Sequence, residues 1–187
     1  MFNGFCTDEQ RTPDGIRSGF IVRDLVSGAT CPLATIELYQ FRLIIAIWIL
    51  NWKPVGPAPT LGKYYVQLER FESLVLPMLE AAAASSEPCV FFCDEIGSME
   101  LKSPRFFPAV RKLLDCSGVR VVGTLPARGK LPPAVVDILQ RNDVQIFQIS
   151  QNNRGDLPGV IVNHLEDKAS LQIQTTAQLR PEMNKEF

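Results

Sequence analysis

Histidine is nearly absent from these 187 residues: His164 is the single one. One imidazole excludes zinc sites built on paired histidines and most mechanisms in which a histidine moves the proton. The five cysteines (Cys6, Cys31, Cys89, Cys93 and Cys116) include no Cys-x-x-Cys pair, which removes the common dithiol and metal motifs. An odd set of thiols suits a reducing, intracellular setting, and no secretory leader pattern opens the chain, so a cytoplasmic location is expected. Charge of one sign is not in excess either. Nineteen Lys and Arg stand against 20 Asp and Glu, a formal net charge of −1, so no global field draws the chain toward nucleic acid or anionic lipid. The longest apolar run is LIIAIWIL at 43–50, far short of the roughly 20 residues that a membrane helix needs.

Several catalytic signatures are missing as well. There is no Gly-x-Ser-x-Gly elbow, no G-x-G-x-x-G loop and no phosphate loop G-x-x-x-x-G-K-[ST]. Two stretches come near the last. GPAPTLGKY, from Gly56, and GTLPARGKL, from Gly123, each carry five spacer residues instead of four and lack the hydroxyl residue after the lysine. Proline in each loop removes N–H donors, and both read as coincidence.

What is present is a well-patterned soluble chain, 46% hydrophobic and 21% charged, long enough to bury roughly 70% of its unfolded surface. Residues 3–28 read as a β-hairpin around the turn formers Pro13, Asp14 and Gly15, and KYYVQL at 63–68 as another β-rich piece. Helical spacing follows over 69–84, with Pro77 expected to bend or split the helix. A strand at 89–93, a helix opened by Ser103 and Pro104, a strand at 119–125, a helix from Pro132, a strand at 144–149 and a helix after Asp156 complete the pattern. Alternating strands and helices predict an α/β fold with a mostly parallel sheet and flanking helices. Strands of such a sheet are buried on both faces, which accounts for the unbroken apolar run CVFFC. One domain is expected over 1–166, with 35–60 an atypical insertion and a polar, disordered tail at 167–187.

Ligands in open α/β sheets bind beyond the carboxyl ends of the strands. Asp94 and Glu95 follow CVFFC directly, Arg128 and Lys130 lie after the next strand, and Asn153 and Arg154 lie after the last. An apolar strand ending in Asp-Glu has two readings. It can hold a magnesium shell with one acid and orient a water with the other, as in phosphate-loop nucleotide hydrolases, or it can be a strand running out into a solvated turn.

In combination, GFCTDEQR, RSGFIVRDLVSGATCPLA, LGKYYVQLERFESLVLPML, CDEIGSMEL, GTLPARGK, LQRNDVQIFQIS and NNRGDLP resemble the cancer-related nucleoside-triphosphatase family. These are small P-loop enzymes, and the matching stretches keep the family's order through most of residues 3–162. The resemblance implies a P-loop NTPase-like (RecA-like) fold, an ATP, GTP or other nucleoside triphosphate as substrate, Mg2+ as cofactor and a monomeric state, with neither nucleic acid nor a membrane as partner. It further implies that Asp94 holds the magnesium shell and Glu95 polarises the attacking water. Arg128 and Lys130 would approach the nucleotide, and Arg141 and Arg154 match basic positions near the site.

The sequence also departs from that pattern. The family opens with a strand, the phosphate loop and a helix before the counterpart of GFCT, which here begins at Gly4, so this unit and its first strand are expected to be missing. In the family sheet that strand lies close to the Asp-Glu strand, so a vacancy is expected there. Ser98 stands where the family usually has Lys, and Cys6 where it usually has Tyr. Nucleoside-triphosphate hydrolysis is therefore expected to be weak or absent in this chain. The alternative is a catalytically dead isoform acting through protein contacts.

Overall fold

A computed structural model describes residues 2–36, 58–127 and 129–166. The expected insertion falls mostly, and the expected tail wholly, outside the described residues. The chain divides into two compact units, Met1–Pro132 and Pro133–Phe187.

In the first unit the turn formers do what their φ preferences dictate. Strands β1 (Phe2–Arg11) and β2 (Arg17–Asp24) pair antiparallel, and Gly15, at φ 81°, closes the turn with its N–H donating to the Thr12 carbonyl. Strand β3 (Thr30–Ile36) lies against β2, and a small hairpin of β4 (Thr60–Leu61) and β5 (Tyr64–Val66) continues the sheet. Helix α1 (Leu68–Ala84) leads to β6 (Cys89–Cys93). A single 3-10 turn (Glu100–Lys102), helix α2 (Phe106–Leu114) and strand β7 (Val119–Gly123) follow. The seven strands are ordered β4-β5-β3-β2-β1-β6-β7.

The parallel part of this sheet is β1–β6–β7; the hairpin side is antiparallel, so the sheet is mixed. No gap lies beside β6, which pairs with β1 on one side and β7 on the other. The expected vacancy therefore does not adjoin the Asp-Glu strand; on this side the described sheet ends one strand further on, at β7. Close approach of β1 to β6 depends on Gly4, whose φ is 133° and whose missing Cβ would sit 2.1 Å from the Phe92 carbonyl oxygen.

One face of the sheet is sealed by aromatic packing. Phe5 of β1, Phe91 of β6, Phe71 of α1 and Phe106 of α2 are fully buried, with ring centroids 5.2–6.5 Å apart. Cys89, Phe91 and Cys93 point into this core, whereas Val90 and Phe92 on the other face are only half-buried. The run CVFFC is thus apolar throughout without being fully covered on both faces, because α1 and α2 both pack on the Phe91 side.

Two local expectations meet different outcomes. Pro77 does not split α1, which runs for 17 residues with the proline on its exposed side. Ser103 does cap α2, its hydroxyl accepting from the N–H groups of Arg105 and Phe106 while donating to Glu72 at 2.6 Å.

The second unit holds α3 (Pro133–Leu139) and α4 (Leu157–Glu166). VQIFQI at 144–149, expected as a strand, forms none. Every strand of the described sheet belongs to the first unit. The Asn153 side chain closes a turn there, accepting from the Ser150 N–H at 2.7 Å and donating to the Gln148 carbonyl at 2.8 Å.

Candidate functional site

Parallel pairing of β6 with β7 sets Cys93 opposite Gly123, so the residues just after them, Asp94 and Thr124, emerge side by side at the carboxyl ends of the two strands. The Thr124 hydroxyl donates to Asp94 Oδ1 at 2.6 Å. From the opposite side β1 overruns the end of β6. Its ladder with β6 stops at Phe5, and two residues later the Thr7 hydroxyl donates to the Asp94 carbonyl at 2.8 Å. Backbone bonds complete the frame: Asp94 N–H to the Phe5 carbonyl, Thr124 N–H to the Cys93 carbonyl and Ile96 N–H to the Thr124 carbonyl, at 3.0–3.2 Å. Asp94 is therefore held at both its main chain and one carboxylate oxygen.

Glu95 is exposed, next to this clamp. Partial burial, followed by the negative charge of Asp94, pushes its carboxyl above the usual glutamate range. After it, Ile96 turns inward and the chain enters the turn that carries Glu100, which is 2% exposed. The Glu100 carboxyl accepts the Gly97 N–H at 3.0 Å. Burial is the main force lifting its pKa to about 7. Hydrogen bonds from its own N–H and that of Gly97 oppose the rise, and the charges of Glu95 and Asp94 add to it. Burial, then Glu100 and Asp94, also drive the Cys93 thiol well up, so it is a neutral core thiol here.

Hard oxygen donors of this kind suit a magnesium ion, which keeps much of its water and needs only one or two carboxylates beside substrate phosphates. Asp94 fits, its carboxylate held in place by the Thr124 hydroxyl at one oxygen. Among the described residues no group of three or more His, Cys, Asp or Glu side chains is disposed to hold a metal ion. An all-protein cage is thus not what these residues form.

The basic residues named from the sequence are distributed differently. Lys130 is exposed on the loop after β7, and Arg128 lies outside the described residues. Arg141 and Arg154 belong to the second unit. Arg141 makes a two-point contact with Asp143, Nε to Oδ1 at 2.8 Å and a terminal nitrogen to Oδ2 at 2.6 Å, so much of its charge is met locally. Arg154 is exposed beside the Asn153 turn. On the hairpin, Arg11 and Arg17 both pair with Glu9 at 2.5 Å, as expected of solvated surface arginines.

Thr7, Thr124, Gly97 and Glu100 were not among the residues that the sequence singled out. Thr124 lies within GTLPARGKL, a near-miss of the phosphate loop; its hydroxyl serves Asp94. In the other near-miss, Gly62 has φ 57° and turns β4 into β5, so that stretch is a hairpin. A glutamate three residues after Gly97 is a helix-start spacing that could have drawn notice to Glu100.

A sequence profile described as NTPase matches residues 1–162. The cancer-related nucleoside-triphosphatase homolog of Mus musculus is 39% identical over 158 residues, spanning 83% of this chain and 76% of that protein. The Homo sapiens cancer-related nucleoside-triphosphatase is 38% identical over 159 residues, with 83% and 76% covered. The nucleoside-triphosphatase THEP1 of Thermofilum pendens is 36% identical over 155 residues, with 83% and 74% covered. Among solved structures, the solution structure of a human cancer-related nucleoside triphosphatase superposes with a TM-score of 0.69 at 36% identity, covering 89% of this chain and 82% of that one. The crystal structure of THEP1 from Aquifex aeolicus gives 0.68 at 27% identity, covering 88% and 84%. The likeness extends to the fold of the sheet with its flanking helices. No helix among the described residues is long and apolar enough to cross a membrane.

Proposed function

Since the chain belongs to the nucleoside-triphosphatase family, matched over residues 1–162, we propose that Asp94 and Glu95 form the magnesium-and-water half of a centre that hydrolyses ATP, GTP and related triphosphates to diphosphate and phosphate. The observation that carries this reading is the fixed carboxylate of Asp94, tied to Thr124 at the carboxyl ends of two parallel strands with a second acid beside it. Asp94 is the ligand, and Thr124 and Thr7 keep it in place. Glu95, whose carboxyl is raised by burial and by its neighbour, takes the hydrogen bond of the attacking water. A bound magnesium ion would neutralise charge on the phosphates. Arg128 and Lys130 are the first cations in the chain after β7, and we assign them to the triphosphate.

Phosphoryl transfer rests on positioning and charge stabilisation, which a phosphate loop largely supplies through its amides and lysine. The 187 residues contain no such loop, so turnover by this chain is weak or nil. The same observation favours the second reading, a nucleotide-dead isoform that works through protein contacts.

Manganese serves as a paramagnetic stand-in for magnesium. Adding Mn2+ and ATP to the labelled chain is expected to broaden the amide resonances of Asp94, Glu95 and Thr124 before any others, and Asp94→Asn to abolish the effect. Broadening centred elsewhere, or unchanged in D94N, would refute the assignment.

A further inference from the structure

Glu95 needs a defined seat if it is to aim a water, and the exposed end of a glutamate has none by itself. The structure shows where that seat comes from. Gly97 is buried and outside the left-handed region, so its backbone does not require glycine. What requires it is the space beside Cα: a Cβ there would lie 2.7 Å from Glu95 Oε1, 2.9 Å from Glu95 Cδ and 3.0 Å from Glu100 Oε2. The Glu95 carboxyl therefore rests against Gly97 in the volume that any other residue would fill. Glu100 defines the other wall. Buried to 2% exposure, it accepts the Gly97 N–H and so fixes the peptide on which Glu95 lies.

Part of this arrangement is ordinary helix chemistry. Leu101 N–H donates to the Gly97 carbonyl, so Gly97 opens a short helical turn and Glu100, three residues on, reaches back to its N–H as a capping glutamate does. Capping alone does not place a second carboxylate against the same glycine, nor does it call for a capping residue buried next to another acid.

We infer that Gly97 and Glu100 are positioning residues for Glu95, Glu100 anchoring the loop and Gly97 leaving the volume in which the Glu95 carboxylate sits. The inference deepens the functional reading above and rests on it for its purpose, though not for its geometry. It assigns the turn after the acidic pair a task in the reaction: a side chain at 97 would displace the group that holds the water without touching nucleotide or metal. Because the atoms in the way are ends of flexible side chains, Gly97→Ala should fold while moving Glu95.

The test is made on the full 187-residue chain carrying 13C-labelled glutamate, with Glu95→Gln used to assign the Glu95 carboxyl resonance. In the unaltered chain an NOE is expected between the Gly97 α-protons and the Glu95 γ-methylene. G97A and E100L are expected to move the Glu95 carboxyl resonance while the amide spectrum stays dispersed. E100Q, whose amide oxygen can still accept from Gly97, should restore it. A purely structural Glu100 would lower stability in E100L and leave the Glu95 resonance where it was, which overturns the inference. Lack of the NOE overturns it too, and this needs no variant to fold. Turnover and metal enter none of these measurements, so they can fail while the Mn2+ broadening at Asp94 and Glu95 stands, and that broadening can fail while they hold.

Discussion

The Thr124 hydroxyl and Asp94 Oδ1 lie 2.6 Å apart, joining the ends of adjacent parallel strands through their side chains. The contact follows from register: Cys93 faces Gly123, so the next residues of both strands leave the sheet together. It holds the carboxylate in one rotamer before any ligand arrives, which is the kind of preorganisation that spares binding energy.

Removing the hydroxyl without changing shape isolates that contribution. Thr124→Val should cost about 1 kcal/mol or less of stability, because the pair is partly hydrated. It should weaken Mn2+ affinity measured by relaxation enhancement, whereas Thr124→Ser should keep it. Equal metal affinity in the Val and Ser variants would show that the bond does not orient Asp94.

Glu100 makes stability depend on pH. Its folded pKa is about 7 against a usual 4.5, so below 4.5 both states are protonated and no penalty exists. As pH rises from 4.5 to 7 the unfolded chain gives up its proton first, and stability falls. The loss approaches about 3 kcal/mol, taking roughly 1.4 kcal/mol per unit. Urea unfolding at pH 5 and pH 8 measures it, and E100Q should remove most of the difference. An E100Q profile matching the unaltered chain would assign the dependence to other groups.

Gly4 is where β1 meets β6, with the Phe92 backbone in the place of a side chain. Gly4→Ala adds both a steric clash with main chain and a φ of 133° that alanine resists. A loss of about 3 kcal/mol or more is expected, since neither strand can move without disturbing the Phe5–Phe91 contact. Thermal melting reads this directly, and an unchanged midpoint would mean that the two strands are not packed this closely.

The legible parts of the fold were those set by short-range chemistry. Pro13, Asp14 and Gly15 announce the hairpin turn, CVFFC announces β6 to the residue, and Ser103 with Pro104 announces α2. Errors came where a neighbour decides. VQIFQI has the composition of a strand, but strand formation is a property of a pair. Pro77 does not split α1, since the turns on both sides of it are held by the buried stripe from Phe71 to Ala82. At the site, Asp94 and Glu95 stood out because two acids after an apolar strand are unusual. Thr124 and Thr7 did not, being 30 and 87 residues away from Asp94 in the chain, and only the order β1-β6-β7 brings them in.

Hydrolysis itself bears most directly on the account. Phosphate release from ATP and GTP in the presence of Mg2+ is measured for the unaltered chain, E95Q and D94N. The account predicts slow or undetectable release, with any that is detected lost in both variants. Brisk turnover by the unaltered chain, or turnover that survives Glu95→Gln, would contradict it.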